Sequence, residues 1–154
     1  MKDEKSLSGV KLVAEDREDL VALSSFVQDA ILRVGDIAFL PNSRRLALTL
    51  NRFCWERPSE RIGGREVYRR VTAGLNVQSA LAVKARGIDR SNPEGLLYVL
   101  SLRLEDHENQ HVIEFTFAGG GTLRVEVETV DVSLVDLDGG WLTEAKPKHK
   151  SAQE

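Results

Sequence analysis

Cysteine is almost absent from this 154-residue chain, where Cys54 stands alone. One thiol forms no intrachain disulfide, which suits a reducing compartment. Histidine is scarce too: only His107, His111 and His149 occur, so a Cys–His nucleophile pair would need a long-range contact. Long apolar runs are missing. The longest are a few residues, far below the ~20 that span a bilayer. Met1-Lys2-Asp3-Glu4-Lys5 also leads into no apolar run of signal-peptide length. These absences lead us to expect a cytosolic protein with no cofactor, no metal and no membrane contact.

What is present suits one globular domain. Hydrophobic residues make up 42% and charged residues 29% of the chain, unlike a disordered segment. A chain of this length buries roughly two-thirds of the surface that unfolding exposes. The expected organisation is a flexible N-terminus over 1–9, a single domain over 10–142 and a disordered polar tail over 143–154. The net charge of −3 conceals an uneven distribution. Residues 44–90 carry eleven Lys/Arg against four Asp/Glu, whereas the segments before and after them are acidic. That asymmetry is the most suggestive functional feature of the sequence.

Val10–Ala14 reads as a short strand. Asp16 then suits a helix N-cap, with Glu18 and Asp19 complementing the helix dipole, and Leu20, Leu23, Val27 and Ala30 share one helical face. The helix is expected to end near Gln28–Ala30. Period-two alternation follows. Ile37 and Phe39, the turn Pro41-Asn42-Ser43, and Leu46, Leu48 and Leu50 spell a hairpin. Arg57–Gly64 reads as a loop. Val67–Leu75 and Leu81–Ala85 read as the next strand pair, joined around Asn76–Ser79. Tyr98, Leu100, Leu102 and Leu104 alternate, as do Ile113, Phe115 and Phe117, then Leu123, Val125 and Val127. At Val130, Val132 and Leu134 the phase slips by one place, which predicts a bulge or sharp bend near Thr129. The fold class expected is α+β, mostly β: a bent antiparallel sheet or partly closed barrel of eight or nine strands, with one N-terminal helix packed on it.

No set of residues spells a reaction. Cys54 lies between Phe53 and Trp55 and reads as a buried apolar residue. His107 and His111 have metal-ligand spacing only on a helix, and the residues between them read as a strand turn. Gly119-Gly120-Gly121 joins two strands, so it is neither a phosphate loop nor a dinucleotide fingerprint. Arg52 and Arg69 are harder to place, because each shares the phase of an apolar strand face. An arginine there either reaches water at a rim or binds an anion in a pocket. With Arg70, Lys84, Arg86 and Arg90 they form the candidate anion-binding set. An enzyme using Asp89 with Arg86 and Arg90 is a third possibility.

Leu20–Asp29 with Leu32–Pro41, Asn51–Glu56, Arg86–Arg90 and Phe115–Gly121 together resemble a small, uncharacterised bacterial family, domain of unknown function 2948. The resemblance spans roughly Lys11–Trp141 and implies no activity, cofactor or catalytic residue. The function expected is therefore a non-enzymatic binding or interaction domain. Its basic face would take an acidic protein or a phosphorylated small molecule. Nucleic acid, RNA above all, is the alternative partner.

Overall fold

The computed structural model describes residues 9–147. The expected flexible segment up to residue 8 and the tail from residue 148 lie outside them. The first elements are β1 (Lys11–Ala14) and α1 (Arg17–Phe26). The Asp16 carboxylate accepts the Asp19 N–H at 2.8 Å, as an N-cap does. Leu20 and Leu23 are buried on the inner helix face, and Ser24 Oγ accepts the Leu102 N–H at 2.9 Å. The helix is thereby pinned to the strand behind it.

β2 (Ile31–Arg33) runs into a single 3-10 turn, Val34–Asp36, then into β3 (Ile37–Leu40) and β4 (Arg45–Phe53). The β3–β4 hairpin turns through Pro41–Ser43, and Arg44 closes it at φ 50°. Phe39 pairs with Leu46 and Ile37 with Leu48, as the alternation implies. Residues 57–64, expected as a loop, contain β5 (Glu60–Ile62), which pairs with the start of β6 (Arg65–Gln78). Three exposed residues are too few to show a period. Then come β7 (Ala80–Arg86), β8 (Leu96–His107), β9 (Gln110–Phe117), β10 (Thr122–Val127), β11 (Val132–Asp136) and β12 (Trp141–Thr143). Twelve strands thus replace the expected eight or nine, the surplus being short ones. Thr143, placed in the tail by sequence, is the last residue of β12.

All pairings are antiparallel, and the strand order is β1-β11-β6-β4-β2-β8-β9-β10-β7, with β3 on β4 and β5 and β12 on β6. The sheet does not close into a barrel. It bends at β2, so that the inner faces of two halves share one apolar core. Leu48, Leu75 and Leu134 contribute from one half, and Ile113, Phe115 and Val125 from the other.

The expected β6–β7 pairing does not form. Ser79 adopts φ 57° and carries the chain from one half to the other, so β7 pairs with β10 while β6 lies between β4 and β11. The phase slip near Thr129 is a second such passage, from β10 back to β11. The two passages run side by side: the Glu128 N–H donates to the Ser79 carbonyl at 3.1 Å, and the Gln78 N–H to the Asp131 carbonyl at 2.9 Å. The slip thus combines a register shift at Glu126/Val127 with a sharp bend that takes the chain to the other sheet half, in line with the bulge or bend expected near Thr129.

The alternation of Tyr98, Leu100, Leu102 and Leu104 is not one face. The β8–β9 register shifts between Val99 and Ser101, so Val99 and Leu102 are buried while Tyr98 and Leu100 are 43% and 44% exposed. Leu100→Thr is accordingly expected to change unfolding stability by no more than about 0.5 kcal/mol, measured by urea denaturation.

Candidate functional site

The six basic residues singled out by sequence do not share a surface. Arg52 is fully buried. Its Nε and Nη2 donate to Asp136 at 2.8 Å each, and its Nη1 and Nη2 donate to Glu56 at 3.0 and 2.8 Å. The Phe26 ring lies 5.7 Å from the guanidinium carbon. Arg52 does bind an anion bidentately, but the anions are the protein's own carboxylates, and it is not available to an external one. Arg69 donates to the Gly139 carbonyl at 2.8 Å. Arg70 lies on the outer face of its half, over the Phe53 ring, with Nη1 3.2 Å from the Asn51 carbonyl and side-chain oxygens; burial lowers its pKa. Lys84 and Arg86 stand opposite Arg124 and Thr122 on the outer face of the other half. Arg70 is thus on the outer face of one half of the sheet, and Lys84 and Arg86 on that of the other.

The Arg52 network has a pH consequence. Burial works against the Glu56 carboxylate, but the hydrogen bonds and charge of Arg52, together with a backbone hydrogen bond, outweigh it and hold its pKa below the usual value. A lowered folded-state pKa adds stability that is complete above the unfolded value of about 4.3 and is lost as pH falls through the folded one. Urea midpoints measured from pH 6 downward should therefore fall more steeply in the wild type than in Glu56→Gln.

Other candidates resolve into structure. Cys54 is buried, and burial pushes its thiol pKa up. A thiol held protonated is a poor nucleophile. His111 Nδ1 lies 2.6 Å from Asp106 across the β8–β9 hairpin, and His107 Nε2 lies 3.4 Å from Glu105 on the same strand. Among the described residues, no group of three or more His, Cys, Asp or Glu is placed to hold a metal ion. Gly119 and Gly120 take φ 90° and 103° in a strand turn. No helix among the described residues is long and apolar enough to cross a membrane.

The site that does form lies where the sheet fails to close. β3 pairs only with β4, and β7 only with β10. The two are tied at one end by the Ala80 N–H, which donates to the Arg44 carbonyl at 2.9 Å. At the other end, the 87–95 connection folds back onto the Val34–Asp36 turn. There the Gly35 N–H donates to the Pro93 carbonyl at 2.8 Å and the Val34 N–H to the Gly95 carbonyl at 2.9 Å. Arg33 adds ion pairs to Asp36 and Glu94. A seam closed at both ends and open between them leaves a cleft of about 330 Å³. Ile37, Phe39 and Leu46 line one wall, Val83, Ala85 and Leu123 the other, and Val34, Ile88 and Pro93 the end.

Arg90 is the one charged residue on this lining, and it has no hydrogen-bond or ion-pair partner among the described residues. Its loop is held in shape next door: the Asp89 carboxylate accepts the Ser91 N–H at 3.0 Å and the Ser91 hydroxyl at 2.6 Å, an Asx turn that presents the next side chain. Asp89 and Arg86 do not line the cleft, so the three residues of the enzymatic possibility are not gathered in it.

The family model described as "Protein of unknown function (DUF2948)" matches residues 10–149. The chain belongs to this family. No curated protein and no solved structure matches it. In this DUF2948 chain, three of the runs that carry the resemblance meet around the cleft. Leu32–Pro41 forms the turn and β3, Arg86–Arg90 forms the loop with Arg90, and Phe115–Gly121 supplies the turn behind it. A Cβ at Gly121 would come 3.2 Å from the Gly87 carbonyl oxygen, so a larger residue there would press on this loop. Arg90 was in the sequence-based set. The apolar walls were not, because residues from β3, β7 and β10 meet only once the seam is known to stay open.

Proposed function

We propose that this domain is a non-enzymatic cytosolic binding module, and that an anionic small molecule with an apolar body occupies the cleft between β3 and β7. The observation that carries the reading is the exposed Arg90 guanidinium, unpaired among the described residues, at a cleft whose other lining side chains are apolar. Ligand sites in general are concave, mostly apolar and furnished with a few polar groups, and a guanidinium matches a carboxylate or phosphate with two parallel hydrogen bonds. The basic character of residues 44–90 enters this function through one residue only.

A thermal-shift screen of anionic metabolites tests the proposal. A ligand present at about a hundredfold over its Kd adds roughly 2.7 kcal/mol and raises Tm by several degrees. Arg90→Gln is expected to weaken such a ligand about tenfold or more, while Arg69→Ala leaves its affinity unchanged. Equal binding by Arg90→Gln and wild type would remove the cleft from consideration.

A further inference from the structure

The lining sorts ligands by what it does not offer. Apart from Arg90, no lining side chain carries a hydroxyl, amide or charge. A sugar or nucleobase would find no polar side chain but Arg90 among the described residues, only the backbone groups of the open β3 and β7 edges. A phosphate monoester carries close to two negative charges at neutral pH, and proteins usually hold that group at a helix N-terminus or a backbone nest with more than one cation. Here the N-terminus of α1 is elsewhere: Arg17, in its first turn, pairs with Asp106 at 2.7 Å. The Gly119–Gly121 turn is engaged as well, its Gly120 N–H donating to the Phe117 carbonyl at 3.3 Å. One guanidinium balances one carboxylate.

We propose that the ligand is a compact apolar monocarboxylic acid, a medium-chain or arylalkanoic acid, whose carboxylate pairs with Arg90 and whose hydrocarbon lies between Phe39 and Val83. This rests on the cleft being the binding site and narrows what it takes. At about 330 Å³ the space sits at the small end of ligand pockets and suits a compact ligand, such as octanoate or 4-phenylbutyrate. Burial of such a body removes apolar surface from water, so the apolar walls supply affinity and Arg90 supplies selection.

Methyl-labelled NMR titration of the full chain decides it, with five probes: octanoate, 4-phenylbutyrate, octanol, octyl phosphate and glucose 6-phosphate. Saturable shifts of the Ile37, Val83 and Ile88 methyls are expected with the two carboxylates. Octanol should bind about tenfold more weakly, and glucose 6-phosphate should leave these methyls unmoved. Arg90→Gln should bring octanoate down to the affinity of octanol. Ala85→Trp, at an exposed position on the wall, should block both while the Leu75 and Val77 methyls stay in place. Octanol equal to octanoate, or either phosphate binding more tightly than the carboxylates, overturns the ligand class and leaves the cleft standing. Cleft methyls that respond to no probe overturn both.

Discussion

Arg52→Met is expected to lower unfolding stability by about 3–5 kcal/mol, read as a shift of the urea midpoint at unchanged slope. Methionine fills the place of the arginine stem, so the loss is not chiefly a cavity. It comes from what is left behind. The Asp136 carboxylate is 2% exposed and its Oδ2 also accepts the Val10 N–H at 2.9 Å. Without the guanidinium it keeps a single amide donor in a site that water does not reach, and burying an uncompensated charge is the costly half of breaking an ion pair. Glu56, less buried, can turn to solvent. Arg52→Lys is expected to fall between, because an ammonium cannot fork to two carboxylates at once. Replacing all three charged residues by apolar ones should restore most of the loss. If Arg52→Met costs no more than a surface substitution, the network is not what holds β4 to β11 at this end of the sheet.

The same residue shows how far sequence could be read here. Arg52 in phase with Leu46, Leu48 and Leu50 announces an arginine facing inward, and that is where it lies. Its partners are at Glu56, one turn on, and at Asp136, 84 residues away, and no local pattern names a partner at that distance. Strands of four or more alternating residues were legible for a comparable reason: Ile37 with Phe39 and Ile113 with Phe117 carry their period within themselves. Pairing was not. Whether β7 follows β6 in the sheet depends on Ser79 adopting a left-handed conformation, and a serine does not advertise that. At Tyr98 and Leu100 the signal misled, since a shifted register moves apolar side chains outward while the spacing in the sequence stays regular. The cleft is the extreme case. It is made by two strands that do not pair, so Arg90 was visible as one basic residue among many but not as the only cation on an apolar wall.

That dependence on backbone geometry is sharpest at Gly140, and Gly140→Ala is expected to destabilise the protein by about 2–5 kcal/mol. Gly140 holds φ 81°, a conformation that costs an L-residue about 1–2 kcal/mol. A Cβ there would also fall on the Arg70 carbonyl oxygen and against Val71 Cγ1, and β6 backbone cannot swing aside as a flexible side chain does. The chain is forced to lift, and what lifts is β12, whose Trp141 pairs with Arg70 and Leu142 with Arg69. Two readouts follow. The urea midpoint drops, and in a Trp55→Phe background the fluorescence of Trp141, 41% exposed on the sheet, moves toward that of free indole in water before the global transition. Gly139→Ala is the control, since nothing lies within 4 Å of a Cβ there. Equal losses at the two glycines would mean that β12 is not seated on β6 as described. The seam cleft, on the far side of the core, should keep its ligand affinity in Gly140→Ala wherever the protein remains folded, because β12 contributes none of its walls.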